Sequence, residues 1–379
     1  MKSLLLEVYN GKKLKQKILV EKTKPYWTFK TSLNIHEIKN LKKKLQESLP
    51  EVKKFFLNSD KKIHTLSFTY LIKAEYNESK TLVSILEKNG WEEDRTSPDF
   101  LYLEGKNIWK TQNLDINSFL VNRVDKEKKM FTDKGNLSIN LKGKSYIPTT
   151  HFIDLEKKSV ENLEKYLDGT VWILKPVWGF SGKGIKIIKT KKDLKKFYPG
   201  RYKSWVLQKY IEDPMLLDGY KFHLRCLFLL TGEGKGYYFK FMPIYLATEK
   251  FTENYKNLNQ HDTHFEEDQR PLFFPGDIDV DEKKINRQIS CIFKDVIKMS
   301  SLKCMENTEK CYEVFGADFL IDAKQKVYLI EINEKIGLRD FKQKKFDFNE
   351  LLFKSQLMTV VDKFFPLRYE YQNYFIRVE

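Results

Sequence analysis

The sequence has few cysteines and no cysteine motif. Its four cysteines, Cys226, Cys291, Cys304 and Cys311, form no Cys-x-x-Cys pair, and no paired histidines accompany them. This pattern argues against a zinc site and against the disulfide framework of a small secreted protein. We therefore expect a reducing, cytosolic compartment.

Long apolar runs are also missing. No stretch approaches the ~18 consecutive apolar residues that a membrane-spanning helix needs. The N-terminal residues contain only three consecutive apolar side chains, Leu4 to Leu6, whereas a signal peptide needs an apolar region of at least ~7. The sequence predicts neither a membrane span nor a signal peptide.

Acidic residues are too few to balance the basic ones. Lys and Arg number 68 against 52 Asp and Glu, which gives a net charge of +16. This field favours an acidic partner, whether nucleic acid, an anionic membrane face or an acidic protein tail, but a basic composition without functional meaning is an equally open interpretation. The lysines are dispersed and no aromatic-basic RNA-binding pattern is present, which disfavours nucleic acid.

Apolar periodicity divides the chain into helical and extended segments. The first third resembles a small α/β unit, with helices predicted over 34–57 and 79–88 and a strand over 65–73. The second helix ends at Asn89-Gly90, a common helix terminator. The rest is dominated by strands, predicted over 171–176, 185–189, 205–211, 222–230, 314–321 and 327–332, with a helix over 283–299. The predicted fold class is α+β, or mixed α/β.

A glycine-rich turn follows the first of these later strands. Lys175 lies near the end of that strand, and the turn Gly179-Phe-Ser-Gly-Lys-Gly contains Gly182 and Gly184. Glycines allow backbone N–H groups to approach a phosphate closely. The spacing is neither a Walker A loop nor a dinucleotide fingerprint, because a strand rather than a helix follows. By itself the turn fits an ordinary glycine hairpin slightly better than an anion site.

The last predicted hairpin brings three oxygen-bearing side chains to one sheet face. Glu331 and Asn333 are two residues apart on one strand, so they face the same side, and Asp318 lies on the preceding strand. Such a set suits Mg²⁺, which binds few protein oxygens and bridges nucleotide phosphates. The alternative is a solvated sheet face, but the apolar flanks favour the metal site.

A further strand carries Lys221, His223 and Arg225 at alternating positions. Two fixed cations on one face suit a polyphosphate or an acyl phosphate. A histidine between them is more often structural than catalytic.

Together these segments resemble the tubulin tyrosine ligase-like family, a branch of the ATP-grasp ligases. The resemblance covers roughly residues 80–365 in the family's order. The matching segments are Leu86-Glu-Lys-Asn-Gly-Trp, Val121-Asn-Arg, Lys134-Gly-Asn-Leu, Tyr146-Ile-Pro-Thr-Thr, Trp172-Ile-Leu-Lys-Pro with its glycine turn, Gln208-Lys-Tyr-Ile, Lys221-Phe-x-Leu-Arg, Ala247-Thr-Glu-Lys-Phe, Phe315-Gly-Ala-Asp-Phe and Leu329-Ile-Glu-Ile-Asn.

The resemblance implies an ATP-grasp fold with an additional N-terminal α/β domain. It implies an N-terminal domain over 1–130 for partner or acceptor recognition, a central domain over 131–209, and a C-terminal domain over 210–379 with the Mg²⁺-binding hairpin. The resemblance implies that Lys134, Lys175, Gly182 and Gly184 bind the phosphates, and that Lys221 binds a phosphate or the ribose. Gln208, Lys209 and Ile211 are implied around the adenine. Arg225 is implied to face the γ-phosphate and the acceptor, and Asp318, Glu331 and Asn333 to bind Mg²⁺.

The implied reaction uses ATP and Mg²⁺ to activate a carboxylate as an acyl phosphate, which the amine of an amino acid (Tyr, Glu or Gly) then attacks. Arg225 and Lys175 are the implied catalytic residues. The implied acceptor is the acidic C-terminal tail of tubulin, and the implied location is the cytoplasm and cytoskeleton, with the cilium or axoneme as a special case.

The acceptor side departs from the family pattern. His223 stands where the family has Asp, Tyr245 where it has Arg, His264 where it has Asn, and Ile336 where a proline follows the metal motif. An Arg that pairs with a carboxylate is not replaceable by Tyr. Two interpretations stay open: an active ligase with a changed amino acid or acceptor, which the complete Mg²⁺ set favours, and a catalytically altered relative that serves as a microtubule-binding structural component.

Overall fold

The computed structural model describes most of the chain. The described residues are 3–10, 13–23, 26–29, 55–59, 62–65, 68–73, 79–104, 118–155, 160–179, 182, 184–198, 200, 202–263, 272–304, 308–337, 342–343, 346–365, 367 and 369–379. They form two compact units, one comprising Met1–Val121, Asn307–Glu309 and Phe348–Asn373, the other Asn122–Glu306, Lys310–Asp347 and Tyr374–Glu379. The three-domain division predicted above stays a prediction.

Strands outnumber helices throughout the described residues. The strands are β1 (Ser3–Asn10), β2 (Lys13–Thr23), β3 (Tyr26–Phe29), β4 (Phe55–Ser59), β5 (Lys62–Thr65), β6 (Thr69–Lys73), β7 (Glu92–Glu93), β8 (Phe100–Leu103), β9 (Ser118–Val121), β10 (Thr150–Asp154), β11 (Trp172–Pro176), β12 (Lys186–Ile188), β13 (Ser204–Lys209), β14 (Leu216–Leu217), β15 (Tyr220–Thr231), β16 (Gly236–Phe239), β17 (Met242–Lys250), β18 (Leu272–Phe274), β19 (Thr308–Ile321), β20 (Val327–Asn333), β21 (Lys342–Gln343), β22 (Phe346–Asp347) and β23 (Phe375–Arg377).

The helices are fewer and mostly short. The α-helices are α1 (Ser79–Lys88), α2 (Lys129–Thr132), α3 (Lys134–Asn140), α4 (Lys191–Lys195), α5 (Glu282–Met299) and α6 (Phe348–Gln356). Single turns of tighter helix occur at Lys126–Lys128 and Leu258–Gln260, a longer one at Val160–Tyr166, and α6 runs into a π-helical segment at Leu357–Val361. This mixture confirms the predicted α+β class. Within the described residues, no helix combines the length and the apolar character that crossing a bilayer requires.

The first unit contains two sheets. Strands β1 to β5 pair in chain order, and the β3–β4 pair is the parallel one. In the second sheet β9, β8, β6 and β7 are neighbours in that order, all parallel. Helix α1 has the predicted bounds and ends at Gly90, whose φ of 78° is the left-handed conformation that glycine adopts easily. Phe68, Trp91 and Phe365 pack ring against ring in this unit.

Two predictions in this unit need comment. The helix predicted over 34–57 falls largely outside the described residues, and its last three residues, Phe55 to Leu57, belong to strand β4, so the helix prediction is wrong there. Three consecutive bulky apolar residues favour a strand at least as much as a helix. The strand predicted over 65–73 is two strands, since β5 ends at Thr65 and β6 begins at Thr69.

Besides the two-stranded pair β21–β22, the second unit contains two sheets. The smaller is antiparallel, with strand order β10-β13-β11-β12, and buries Trp172, Leu174, Trp205 and Leu207 on one side. The larger is built around β15, which pairs with β17 on one edge and β19 on the other, and β20 follows β19 as an antiparallel hairpin. Helix α5 presents Ile285, Ile289, Ile292, Phe293 and Val296 at helical spacing to the interior.

One feature of the second unit was not predicted. Cys304 and Cys311 form a disulfide, with their Cα atoms 5.3 Å apart, although the sequence argued against a disulfide framework. The two cysteines are seven positions apart, and this spacing has no diagnostic meaning in the sequence. Gly232 lies directly against both sulfur atoms, where a Cβ atom would collide with them. The fold thus leaves room for the pair through a glycine that is distant in the sequence.

A buried ion network fastens the start of the second unit to β19. The Glu313 carboxylate, 1% exposed, accepts hydrogen bonds from Lys128 Nζ at 2.9 and 3.0 Å and from the Val124 amide at 3.0 Å. Arg123 Nε lies 3.8 Å from the same carboxylate, and Lys128 Nζ lies 3.4 Å from Glu334. A carboxylate this deeply buried needs such partners, because removing one charge leaves the other without compensation.

Replacing Lys128 with Met should therefore destabilise the second unit strongly. We expect a loss of about 3–5 kcal/mol in the free energy of unfolding, measured as a lower urea midpoint, because Glu313 would keep its charge and lose its main partner. Lys235→Met is the matched control: its exposed pairing with Glu233 at 2.9 Å contributes little to stability. Equal midpoints for the two variants would contradict this interpretation.

Candidate functional site

The three predicted metal ligands lie together on the β19–β20 hairpin. Asp318 is the register partner of Glu331, and the register shifts directly after Asp318. The Asn333 amide Nδ2 donates to Asp318 Oδ2 at 3.2 Å and to Glu331 Oε1 at 2.9 Å. The alternation along β20 places Glu331 and Asn333 on one face, as their spacing predicted. Two carboxylates and one amide therefore form a compact oxygen-rich cluster.

Two cations hold these carboxylates in place. Arg225 on β15 is the register partner of Asp318, and its guanidinium grips that carboxylate through Nε and through Nη2, the latter at 3.1 Å. Lys134 is the first residue of α3, where its Nζ lies 3.1 Å from Glu331 Oε2 and donates to the Gly179 carbonyl at 3.0 Å. The forked contact fixes the Arg225 plane, and the lysine links the metal-ligand candidates to the glycine turn.

Hydrogen bonds between polar side chains link three strands of the smaller sheet. Lys175 Nζ on β11 donates to Gln208 Oε1 on β13 at 3.0 Å, and Gln208 Nε2 donates to Thr150 Oγ1 at 3.0 Å. Burial lowers the pKa of Lys175 to about 8; Glu331 opposes that shift, and the neighbouring Lys134 adds to it. A buried ammonium with a depressed pKa gains when a polyanion binds beside it.

The glycine turn comes close to a side chain that the sequence did not identify. Gly182 and Gly184 have φ values of 67° and 85°, in the left-handed region that favours glycine. A Cβ atom at Gly182 would collide with the Asp262 carboxylate, and one at Gly184 would lie 3.3 Å from Pro176. Asp262 also exerts a favourable charge interaction on both Lys175 and Lys221. It lies on an irregular segment, where no periodicity could have singled it out.

The remaining residues predicted to bind the nucleotide, Lys221, Lys209 and Ile211, differ in their burial. Lys221 is 4% exposed, and its Nζ donates to the Tyr210 hydroxyl at 2.7 Å. Burial lowers its pKa to about 7, and Lys175 adds to that shift. Lys209 is exposed; its amide donates to the Thr149 carbonyl at 2.7 Å, and in the described part of the chain no hydrogen bond or ion pair joins its side chain to the cluster. Ile211 is half-buried beside it.

Two of the four positions that depart from the family pattern, His223 and Tyr245, form an aromatic wall next to Arg225, and at a third the Ile336 carbonyl accepts from Arg225 Nη1 at 3.2 Å. The rings of His223 and Tyr245 stack with their centroids 4.9 Å apart and a 3° angle between their planes. The Arg225 guanidinium carbon lies 5.5 Å from the Tyr245 ring centroid. His223 Nδ1 is 2.6 Å from Thr263 Oγ1, and Nε2 is 3.6 Å from Asp318 Oδ1. His264 lies outside the described residues.

The carboxylates respond oppositely to this environment. Burial raises the pKa of Asp318 to about 6, an effect that Arg225 opposes and Glu331 reinforces. Burial would also raise the pKa of Glu331, but the Lys134 ammonium and the Asn333 hydrogen bond together hold it well below its usual range. The Asp318 carboxylate holds the pKa of the Arg225 guanidinium above its usual range despite burial. Charge compensation therefore acts in specific pairs rather than diffusely.

The donor set fits Mg²⁺. Carboxylate and amide oxygens are the ligands that this hard cation uses, and two carboxylates side by side give it the charge it needs. Within the described residues no group of three or more His, Cys, Asp or Glu side chains gathers as a metal cluster, so the candidate set consists of Asp318 and Glu331 with an amide as its third member. A divalent cation at this point would also offset the mutual repulsion of the two carboxylates.

Comparison with known proteins gives consistent matches. The family model described as the tubulin-tyrosine ligase family matches residues 106–268 and 275–365. A probable tubulin–tyrosine ligase of Schizosaccharomyces pombe is 30% identical over 179 residues, 43% of either chain. Tubulin polyglutamylase TTLL7 of Homo sapiens is 27% identical over 231 residues, 50% of this chain and 26% of its own. A probable tubulin polyglutamylase of Caenorhabditis elegans is 25% identical over 234 residues, 54% of this chain and 55% of its own.

The share of each chain that a match covers decides whether it shows the family or only a partial similarity. The chain spans between about a quarter and just over half of the length of these three relatives. The family model, in contrast, covers most of the present chain, including every predicted site residue. Its ATP-grasp-like fold agrees with the α+β architecture and confirms the family resemblance drawn from the motifs. The chain belongs to the tubulin-tyrosine ligase family.

Proposed function

We propose that this chain is an ATP- and Mg²⁺-dependent ligase that joins an amino acid to the acidic tail of an acceptor protein. The proposed acceptor is tubulin. The observation that carries the proposal is the cluster of Asp318, Glu331 and Asn333, whose carboxylates are paired with the partly buried cations Arg225 and Lys134. The relatives support the tubulin part, since their names include a tubulin–tyrosine ligase, tubulin polyglutamylases and a protein polyglycylase. Tyr, Glu and Gly are accordingly the proposed donors.

Four cations surround the proposed nucleotide site in the second unit. Lys134, Lys175 and Lys221 would bind the phosphates, with Lys221 also within the range of a ribose hydroxyl, and Gly182 and Gly184 would let the backbone approach them. Gln208, Lys209 and Ile211 would border the adenine. Arg225 would face the γ-phosphate and the acceptor carboxylate. Four positive side chains against the three acids Asp318, Glu331 and Asp262 leave one positive charge, which a magnesium polyphosphate compensates.

Asp318, Glu331 and Asn333 would hold Mg²⁺. The ion would neutralise charge on the transferring phosphoryl group. The residues of the chain contribute orientation: Asn333 fixes both carboxylates through its Nδ2, and Lys134 ties Glu331 to the glycine turn. Arg225 keeps its charge at every accessible pH, so it can stabilise negative charge on the acceptor side throughout the reaction.

The proposed chemistry has two steps. The acceptor carboxylate attacks the γ-phosphorus of ATP, forming an acyl phosphate and releasing ADP. The amine of the incoming amino acid then attacks the acyl carbon, phosphate leaves with the C–O bond electrons, and the nitrogen gives up one proton to the departing phosphate as the amide forms. Lys175 and Arg225 are the proposed catalytic residues because their fixed charges lie where the phosphate develops and departs.

The basic composition supports an acidic acceptor. A net charge of +16 steers a negatively charged tail toward the protein over distances beyond direct contact. We accordingly propose action in the cytoplasm on the cytoskeleton, with the cilium or axoneme as one setting, and no dedicated nucleic-acid surface.

Glu331→Gln should abolish the proposed transfer. With ATP, Mg²⁺ and tubulin, the wild-type protein should attach radiolabelled Tyr, Glu or Gly. The transfer rate of the variant should fall by more than ~10–100-fold. A loss of that size already follows when a partner of a metal ligand is changed, and Glu331→Gln removes the charge of a proposed ligand itself. Glu233→Gln, in an exposed turn, is the control and should keep full transfer. Background transfer by the wild type and Glu331→Gln alike would refute the ligase. Salt-sensitive, ATP-independent co-sedimentation with microtubules would then favour the structural component.

ATP binding should take up protons. The pKa values of Lys175 and Lys221, about 8 and about 7, leave part of each ammonium deprotonated near neutral pH. A polyphosphate favours the charged form, so binding should raise both values, consume protons, and weaken as the pH rises from 7 to 9. Calorimetric titration in two buffers with different ionisation enthalpies measures the uptake. Lys175→Met should reduce it, and buffer-independent enthalpies for the wild type would contradict the prediction.

A further inference from the structure

Three buried side chains, Lys221, Tyr210 and His261, form a continuous hydrogen-bonded chain. Lys221 Nζ lies 2.7 Å from the Tyr210 hydroxyl, which lies 2.9 Å from His261 Nδ1. His261 Nε2 lies 3.2 Å from the carbonyl oxygen of Asn254. Lys221, Tyr210 and His261 are 4%, 5% and 6% exposed. We call these three residues the Lys221 relay.

The direction of every hydrogen bond in the relay follows from its far end. The Asn254 carbonyl can only accept, so His261 Nε2 carries the proton and donates. Burial lowers the pKa of His261, against the opposing effect of the Asn254 contact, and its ring is therefore neutral with Nδ1 as an acceptor. The Tyr210 hydroxyl, whose pKa burial raises above its usual range, must then donate its proton to Nδ1. Its oxygen is left to accept from Lys221.

This polarity favours the charged form of Lys221. An oxygen whose proton is committed elsewhere can accept from an ammonium but cannot donate to a neutral amine. The charged groups that face Lys221 from the surrounding elements are Lys175 on β11, which repels it, and Asp262, which attracts it. The ammonium also lies 4.2 Å from the centroid of the Tyr210 ring. Burial and Lys175 thus favour loss of the proton, while the relay and Asp262 oppose it.

The far end of the relay belongs to the segment that approaches the glycine turn. His261 immediately precedes Asp262, whose carboxylate occupies the space beside Gly182. The ring of Tyr255 stacks on His261 with centroids 5.3 Å apart. One segment therefore both fixes the relay and borders the proposed phosphate site.

We propose that Tyr210 and His261 are positioning residues of the ligase site, which hold Lys221 in its charged form and aim it at the nucleotide. The assignment of Lys221 to phosphate or ribose rests on the proposed function. The polarity of the relay does not, because it follows from contacts within this chain. The two parts can therefore be tested separately.

The first experiment measures the titration of Lys221 without nucleotide. In protein labelled with ¹³C-lysine, the Lys221 Cε signal, assigned with Lys221→Arg, is followed against pH. Tyr210→Phe keeps the ring and removes the accepting oxygen, so the pH at which Lys221 loses its proton should fall by about one unit, since a hydrogen bond to a charged group is removed. His261→Phe frees the Tyr210 proton to turn toward Lys221 and should produce a smaller shift in the same direction.

The second experiment measures the affinity for ATP with Mg²⁺ at two pH values. At pH 6 the affinities of the wild type and Tyr210→Phe should differ by no more than about twofold, because a pKa lowered by one unit from about 7 still leaves about half of Lys221 charged. At pH 8 the variant should bind up to about tenfold more weakly, in line with a shift of one unit. Tyr255→Phe is the matched control: it loses a hydroxyl from a ring that also touches His261 but lies outside the relay, and it should behave like the wild type.

The outcomes separate the relay from the proposed function. Unchanged Lys221 titration in Tyr210→Phe would overturn the relay. A shifted titration with equal ATP affinity at both pH values would overturn the aiming of Lys221 at the nucleotide. Absence of ATP binding by the wild type at any pH would count against the proposed function itself. A shift in both measurements, spared in Tyr255→Phe, is the expected result; a purely structural role would weaken binding equally at both pH values.

Discussion

The site depends on the pairing of Asp318 with Glu331 across two neighbouring strands. Like charges directly opposite each other in a sheet repel, so this register is unfavourable unless other charges compensate for it. Arg225 and Lys134 supply that compensation from different elements, one from the adjacent strand and one from the first turn of a short helix. Strand β15, helix α3 and the β19–β20 hairpin must therefore all be in place before the carboxylates can be held so close together.

The same compensation explains why the cations are buried. Lys134 and Arg225 are held by carboxylates, whereas Lys175 and Lys221 are held by neutral oxygens of Gln208 and Tyr210. Asp262 interacts favourably with both members of the second pair, but burial outweighs this effect, and the pKa values of Lys175 and Lys221 fall. This difference between the two kinds of partner supports the proposed polyphosphate site.

Sequence reasoning reached the regular parts of this arrangement. Period-two alternation placed Glu331 and Asn333 on one face, and the hairpin loop after Ile321 brought Asp318 beside them. Asp262 and His261 could not be predicted as site residues from the sequence. They lie on an irregular segment, and only the regular spacing of a helix or strand predicts which side chains share a face. The disulfide of Cys304 with Cys311 and the strand at Phe55 to Leu57 were missed for related reasons: pairing depends on tertiary contacts, and a short apolar run fits helix and strand equally.

The contrast between the two sides of the site bears on whether such a chain still binds nucleotide. On the side of the positions that depart from the family pattern, the rings of His223 and Tyr245 stack on each other. On the nucleotide side, Lys221 is buried with a pKa lowered from 10.5 to about 7, an arrangement that burdens the folded state. Apolar residues of similar volume would fill that space at lower free energy. A protein that used the fold only as a scaffold would lose little by replacing Lys221 with an apolar residue, so its burial near Lys175 argues for a polyphosphate ligand.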